Sequence, residues 1–168
     1  MIIILDASTL INLANGEVLT VILSLPGVRF LLSGAVREES KSIVDAIDVA
    51  ITSGVLGQVN DDLISLDAFR AAKQQMGLGD GETECILAAA QMGCCLACDD
   101  LAARSVAAKA LGTDLVRGSI GLLRMAVDAG LLDREAAFQA YELMKTRGGF
   151  LPELSASAFG RRLDRLGT

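Results

Sequence analysis

Four carboxylates stand where this chain could do chemistry. Asp6 closes the apolar run Ile2 to Leu5, and Asp99 closes a second apolar run, Cys94 to Cys98. Glu39 lies near the start of a segment with helical periodicity, and Glu82 opens another after a glycine-rich stretch. Short β-branched runs that stop on an acid read as buried strands, with the acid at the strand's carboxyl end. In an open parallel sheet that edge is where ligands bind, and helix starts lie beside it. If the two strands are neighbours, the four acids converge although they are far apart in sequence. Crowded carboxylates raise each other's pKa unless a cation neutralises them. Hard oxygen donors without imidazole or thiolate select Mg²⁺ or Mn²⁺. A metal held this way activates water and stabilises the oxygens of an in-line phosphoryl displacement.

Three of the four positions have an alternate. Glu38 adjoins Glu39 in the same helical turn. Glu84 lies two residues beyond Glu82, and on a regular helix the two point about 200° apart, so only one faces a common site. Asp100 adjoins Asp99, and the two alternate in direction if the strand continues. The preferred set is Asp6, Glu39, Glu82 and Asp99. Plainer roles compete with each: Asp6 as a helix cap, Asp80 as the cap of a flexible helix start, Arg104 as the partner of a surface ion pair with Asp100.

The elements that would position these residues alternate along the chain. Strand candidates are Ile2–Leu5, Val28–Leu32, Val55–Val59, Cys94–Cys98 and Leu115-Val116. Helical periodicity covers a segment beginning at Ser8 or Thr9, then 17–25, one long helix over 34–52, a helix opened by Asp61, Asp62 and Asp67 and ending near Met76, and 82–92. It continues over 101–111, 119–129, 133–146 with Asp133 as cap, and an amphipathic 154–166. Strands alternating with helices predict an α/β fold with a parallel sheet. One domain is expected over 1–168, with helices from about residue 133 packing on it as an extension.

Composition removes several classes of function. The chain has no histidine, which excludes Ser-His-Asp and Cys-His catalysis and His-ligated zinc. Cys85, Cys94, Cys95 and Cys98 read as small reduced core residues, because no second ligand pair follows Cys95-x-x-Cys98 at finger spacing. No apolar run reaches the roughly 18 residues of a membrane span. No basic region precedes the first apolar run, so a cytoplasmic location is expected. Net charge is −6, divided unevenly: residues 1–100 carry 5 basic against 14 acidic residues, and 101–168 carry 10 against 7. The acidic part suits a cation site. The weakly basic part leaves room for a phosphate-rich partner, but the overall balance argues against strong non-specific nucleic-acid binding.

Four stretches in order resemble the motifs of PIN domains: Ile4-Leu-Asp6-Ala-Ser-Thr-Leu-Ile-Asn12, Gly34-Ala-Val-Arg-Glu-Glu39-Ser, Gly77-Leu-Gly-Asp-Gly-Glu82-Thr-Glu84, and Leu96-Ala-Cys-Asp99-Asp-Leu-Ala-Ala-Arg104. Gly118-Ser-Ile-Gly and Ala129-Gly-Leu-Leu extend the likeness to a prokaryotic branch of PIN-like proteins. The resemblance implies a three-layer α/β/α sandwich and an Mg²⁺- or Mn²⁺-dependent ribonuclease. It also implies the toxin of a VapBC-type toxin–antitoxin pair, acting on RNA, forming a homodimer and held by an antitoxin protein. Carried over position by position, Asp6, Glu39, Glu82 and Asp99 would be metal ligands, with Ser8, Thr9 and Arg104 supporting them. The fourth motif lacks the Thr-x-Asp form of the commoner toxin branch, which favours a second reading: a weakly active or inactive PIN scaffold that binds nucleic acid or a protein. A haloacid-dehalogenase-type phosphohydrolase is a third, but its nucleophile loop needs an acid where Ser8 stands.

Overall fold

The computed structural model describes residues 1–165. Its first strand, β1 (Ile2–Leu5), leads into α1 (Ala7–Asn15) and the short α2 (Leu19–Leu23). β2 (Arg29–Leu32) is followed by α3 (Gly34–Glu39), a 3-10 turn over Lys41–Ile43, and α4 (Val44–Thr52). β3 (Leu56–Gln58), α5 (Leu66–Met76) and α6 (Asp80–Met92) come next. Then follow β4 (Cys95–Ala97), α7 (Leu101–Leu111), β5 (Val116–Arg117), α8 (Ser119–Asp128), α9 (Arg134–Thr146) and α10 (Ala156–Arg165). The last residue of the expected final helix, Leu166, lies outside the described residues.

All strand pairs are parallel, in the order β3-β2-β1-β4-β5. β1 is central: Ile3, Ile4 and Leu5 are fully buried, and Ile3 and Ile4 pair with both neighbours, Ile3 with Phe30 on one side and Cys95 on the other. The sheet runs outward from β1 in both directions, so the crevice between the ends of β1 and β4 is its topological switch point. α6 packs on β1 and β4, with α3, α5 and α7 beside it; α1, α2, α8 and α9 pack among themselves. The result is the expected three-layer α/β/α sandwich. The four cysteines are buried and free, as small core residues. No helix among the described residues is long and apolar enough to cross a membrane.

α9 and α10 close the molecule around an aromatic cluster. Tyr141 and Phe159 are buried with ring centroids 5.0 Å apart, and Phe138 stacks on Tyr141 at 5.8 Å. The Tyr141 hydroxyl donates to the Pro152 carbonyl and accepts from Leu154 N–H at 2.9 Å, which ties down the segment between these helices.

Two expected elements are corrected. The helix expected to open at Asp61 begins at Leu66, capped by Ser65, after a separate 3-10 turn over Asp61–Leu63. The helix predicted over 34–52 breaks at Ser40, whose backbone (φ −92°, ψ 36°) ends α3. Ser40 is fully buried, and Arg37 grips Asp48 across the break at 2.7 Å, stabilising the bend. Glu39 therefore ends a short helix instead of beginning a long one.

Candidate acidic site at the sheet edge

Asp6 follows the last residue of β1 and caps α1. Its Oδ2 accepts from Ser8 N–H at 3.2 Å and Ser8 Oγ–H at 2.6 Å, and lies 3.5 Å from the Cys98 thiol. The cap satisfies a donor that the first turn leaves open. Cap and site residue are thus compatible roles here. Asp6 is only 2 % exposed, and its Oδ1 is buried with no hydrogen-bond partner. An unpartnered buried carboxylate oxygen is costly. Ser8 Oγ also accepts from Asp99 N–H at 3.0 Å, so it joins the ends of β1 and β4. Thr9, by contrast, is fully buried with an unpartnered hydroxyl.

Glu39 reaches α6, where Oε1 accepts from Gly81 N–H at 3.0 Å. A Cβ at residue 81 would stand 2.9 Å from the Glu39 carboxyl carbon, so glycine is needed there for this approach. Glu38 is exposed and adds its negative charge beside Arg37. Glu82 folds back so that Oε2 accepts from Gly79 N–H at 2.9 Å; this, and not Asp80, caps α6, while Asp80 pairs with Lys73. Burial pushes the Glu82 carboxyl above its ordinary value, against the Gly79 hydrogen bond, and the charges of Asp6, Asp100 and Glu39 push it further up. Glu84 turns away and accepts from Ala35 N–H at 3.1 Å, anchoring the start of α3.

The adjacent pair divides its work. Asp99 accepts from Asn12 Nδ2 at 2.8 Å, from Ser119 N–H at 2.8 Å and from the Ser119 hydroxyl, tying β4 to α1 and α8. Asp100 caps α7, accepting from Ala103 N–H at 2.8 Å, and it is Asp100 whose charge acts on Glu82. Strand alternation does not decide between them, because β4 ends at Ala97. Arg104 donates to the Cys98 carbonyl at 3.0 Å instead of pairing with Asp100.

The charges of Asp6, Asp100 and Glu39 thus all act on Glu82, while the carboxylate of Asp99 accepts from Asn12 and Ser119 and that of Glu84 from Ala35. Yet no three or more acids or cysteines among the described residues close into a set that could hold a metal ion. Glu39, Glu82 and Asp100 are each engaged with a backbone N–H, which leaves Asp6 Oδ1 as the one unpartnered carboxylate oxygen buried among them.

Sequence reasoning missed Asn12 and Ser119. Asn12 sits one turn after Ser8 on an otherwise apolar helix face, and that spacing was the available signal. Ser119 lies in the Gly118-Ser-Ile-Gly stretch of the family likeness, which gave it no role of its own.

Searches against curated proteins and solved structures return no match. A family model described as a PIN domain matches residues 2–165, almost the whole chain. With a parallel sheet whose acids gather at the switch point, the chain belongs to this PIN-domain family, DUF3368.

Proposed function

We propose that this PIN domain is a scaffold that binds nucleic acid or a protein partner and cleaves RNA weakly or not at all. The observation that carries this reading is the engagement of its acids. Glu39 and Glu82 hold the start of α6 through Gly81 and Gly79 N–H, and Asp100 holds the start of α7. Asp99, the preferred fourth ligand on sequence grounds, accepts three hydrogen bonds and works as a tether. Carboxylates committed in this way stabilise helix starts. They do not present a preformed donor set for a metal.

One observation favours the second reading, an Mg²⁺- or Mn²⁺-dependent endoribonuclease of the VapC toxin type. Asp6 Oδ1 is buried, unpartnered and near other negative charges, an arrangement that a cation would relieve. For that reading Glu39 and Glu82 would supply the carboxylate oxygens that do not accept from Gly81 and Gly79 N–H, with Asp99 or its neighbour Asp100 as the fourth acid. A bound divalent ion would supply charge neutralisation and an activated water. An antitoxin partner, a homodimer and a cytoplasmic location accompany this second reading.

Calorimetric titration of the purified chain with Mn²⁺ tests the choice. The scaffold reading predicts no saturable site. A saturable site that Asp6→Asn removes, in a variant that remains folded, would move the assignment to the nuclease.

A further inference from the structure

Beside the acids, on the Asp99 side, lies a cavity of about 1160 Å³. That exceeds the roughly 300–1,000 Å³ of small-molecule pockets and suits a segment of a longer ligand. Arg104, Arg117, Arg124 and Arg162 line it, as does Phe150. Four aspartates also line it, Asp99, Asp100, Asp114 and Asp128, so the wall is charge-balanced while the whole chain stands at −6. The carboxylates are largely engaged: Asp99 by Ser119 and Asn12, Asp100 by the α7 N-terminus, Asp128 by Arg124 at 3.2 Å.

Two features lack an intramolecular explanation. Arg117 Nε is buried without a hydrogen-bond partner among the described residues. That nitrogen is sealed from solvent, but Arg117 lines the cavity with no ion-pair partner among the described residues, and its planar guanidinium fork matches phosphate. Phe150 is 99 % exposed. It does not sit on a loose loop: Gly149 N–H donates to the Met144 carbonyl at 2.8 Å, Leu151 N–H to the Gly149 carbonyl at 2.9 Å, and Tyr141 holds Pro152 and Leu154. The backbone is fixed and the ring is presented to water.

We propose that Phe150 is a base-stacking platform at the edge of this arginine-lined cavity, which takes a single-stranded RNA segment with Arg117 facing its phosphates. The proposal rests on the reading that this domain binds nucleic acid, and names where and in what form. A flat ring stacks on any base, and only an unpaired strand offers its base faces. The ring's fixed backbone lowers the ordering cost of binding.

The test is fluorescence anisotropy with a short labelled single-stranded RNA of mixed sequence, in chelator so that only binding is read. Wild type, Phe150→Ala, Phe150→Leu and Phe150→Trp are compared, each with a thermal melt. Phe150→Ala and Phe150→Leu are expected to weaken binding on the order of tenfold. Phe150→Trp is expected to retain it, and the same RNA annealed to its complement to bind less well. Because Phe150 is almost wholly exposed, the melts should coincide. If wild type binds RNA and Phe150→Ala binds equally well, the platform is refuted while the nucleic-acid reading stands. If wild type binds no RNA, both fail, and a protein partner becomes the occupant to seek.

Discussion

Two adjacent aspartates with the same side chain have different jobs, and stability measurements can separate them. Asp99 accepts from Asn12 and twice from Ser119, so Asp99→Ala leaves several donors unmatched and should cost about 1–3 kcal/mol in urea unfolding. Asp100→Ala removes a helix cap and should cost about 1 kcal/mol. Equal, negligible losses would mean that Asp99 is no tether. Glu82 makes a pH-dependent case. Its carboxyl is held above its ordinary 4.5 by burial and by Asp6, Asp100 and Glu39, so on acidification the folded chain takes up this proton before the unfolded chain does. Ionising Glu82 therefore costs stability relative to its protonated form at neutral pH, and that cost disappears as pH falls through the raised pKa toward 4.5. Glu82→Gln keeps an oxygen for Gly79 N–H and should raise the urea midpoint at neutral pH. That gain should shrink on acidification. A midpoint difference independent of pH would contradict the electrostatic origin. At this scale Asp6, Asp99 and Glu82 stood out in the sequence because each ends a hydrophobic run or opens a helix, whereas Glu39 was singled out by a helix start that the structure turns into a helix end. The choice between Asp99 and Asp100 was not legible, because past Ala97 direction is set by contacts with Ser119 and Ala103.

Among the elements, α10 tests how far the last helices belong to the core. Phe159 and Leu163 are buried from this helix, with Phe159 against Tyr141 of α9. Phe159→Ala should cost about 3–5 kcal/mol. A loss below about 1 kcal/mol would show that α10 docks weakly, since that is less than the transfer term for so large a buried ring. Strand positions were legible because runs such as Ile2–Leu5 are apolar and short, and helix ends because Gly77 and Gly93 adopt the left-handed conformation that closes α5 and α6. The break at Ser40 was not legible. The periodicity of 34–52 continues through it, and what bends the chain is the tertiary grip of Arg37 on Asp48 and of Glu39 on Gly81. That bend decides the candidate site, because it delivers Glu39 to the start of α6.

For the whole molecule, an acidic chain with a charge-balanced cavity should bind RNA with a shallow salt dependence. Single strands lose affinity with a log–log slope near −0.7 per neutralised phosphate, so even full use of four arginines gives a slope no steeper than about −3. A much steeper slope would require a basic surface elsewhere. The sandwich was legible because apolar runs alternated with helical periods. The cavity was not, because residues from α1, α7, α8, α10 and the loop bearing Phe150 assemble it. The central claim is that the acids hold the fold's helix starts and present no ready metal set. It is tested most directly by incubating labelled single-stranded RNA with the wild-type chain and with Asp6→Asn, in Mg²⁺ or Mn²⁺, and reading binding and cleavage in the same samples. The scaffold reading predicts slow cleavage or none by both proteins with no difference between them, and, where the ligand is nucleic acid, equal RNA binding by both. Rapid cleavage that requires both the metal and Asp6 would contradict it and make this PIN domain a nuclease.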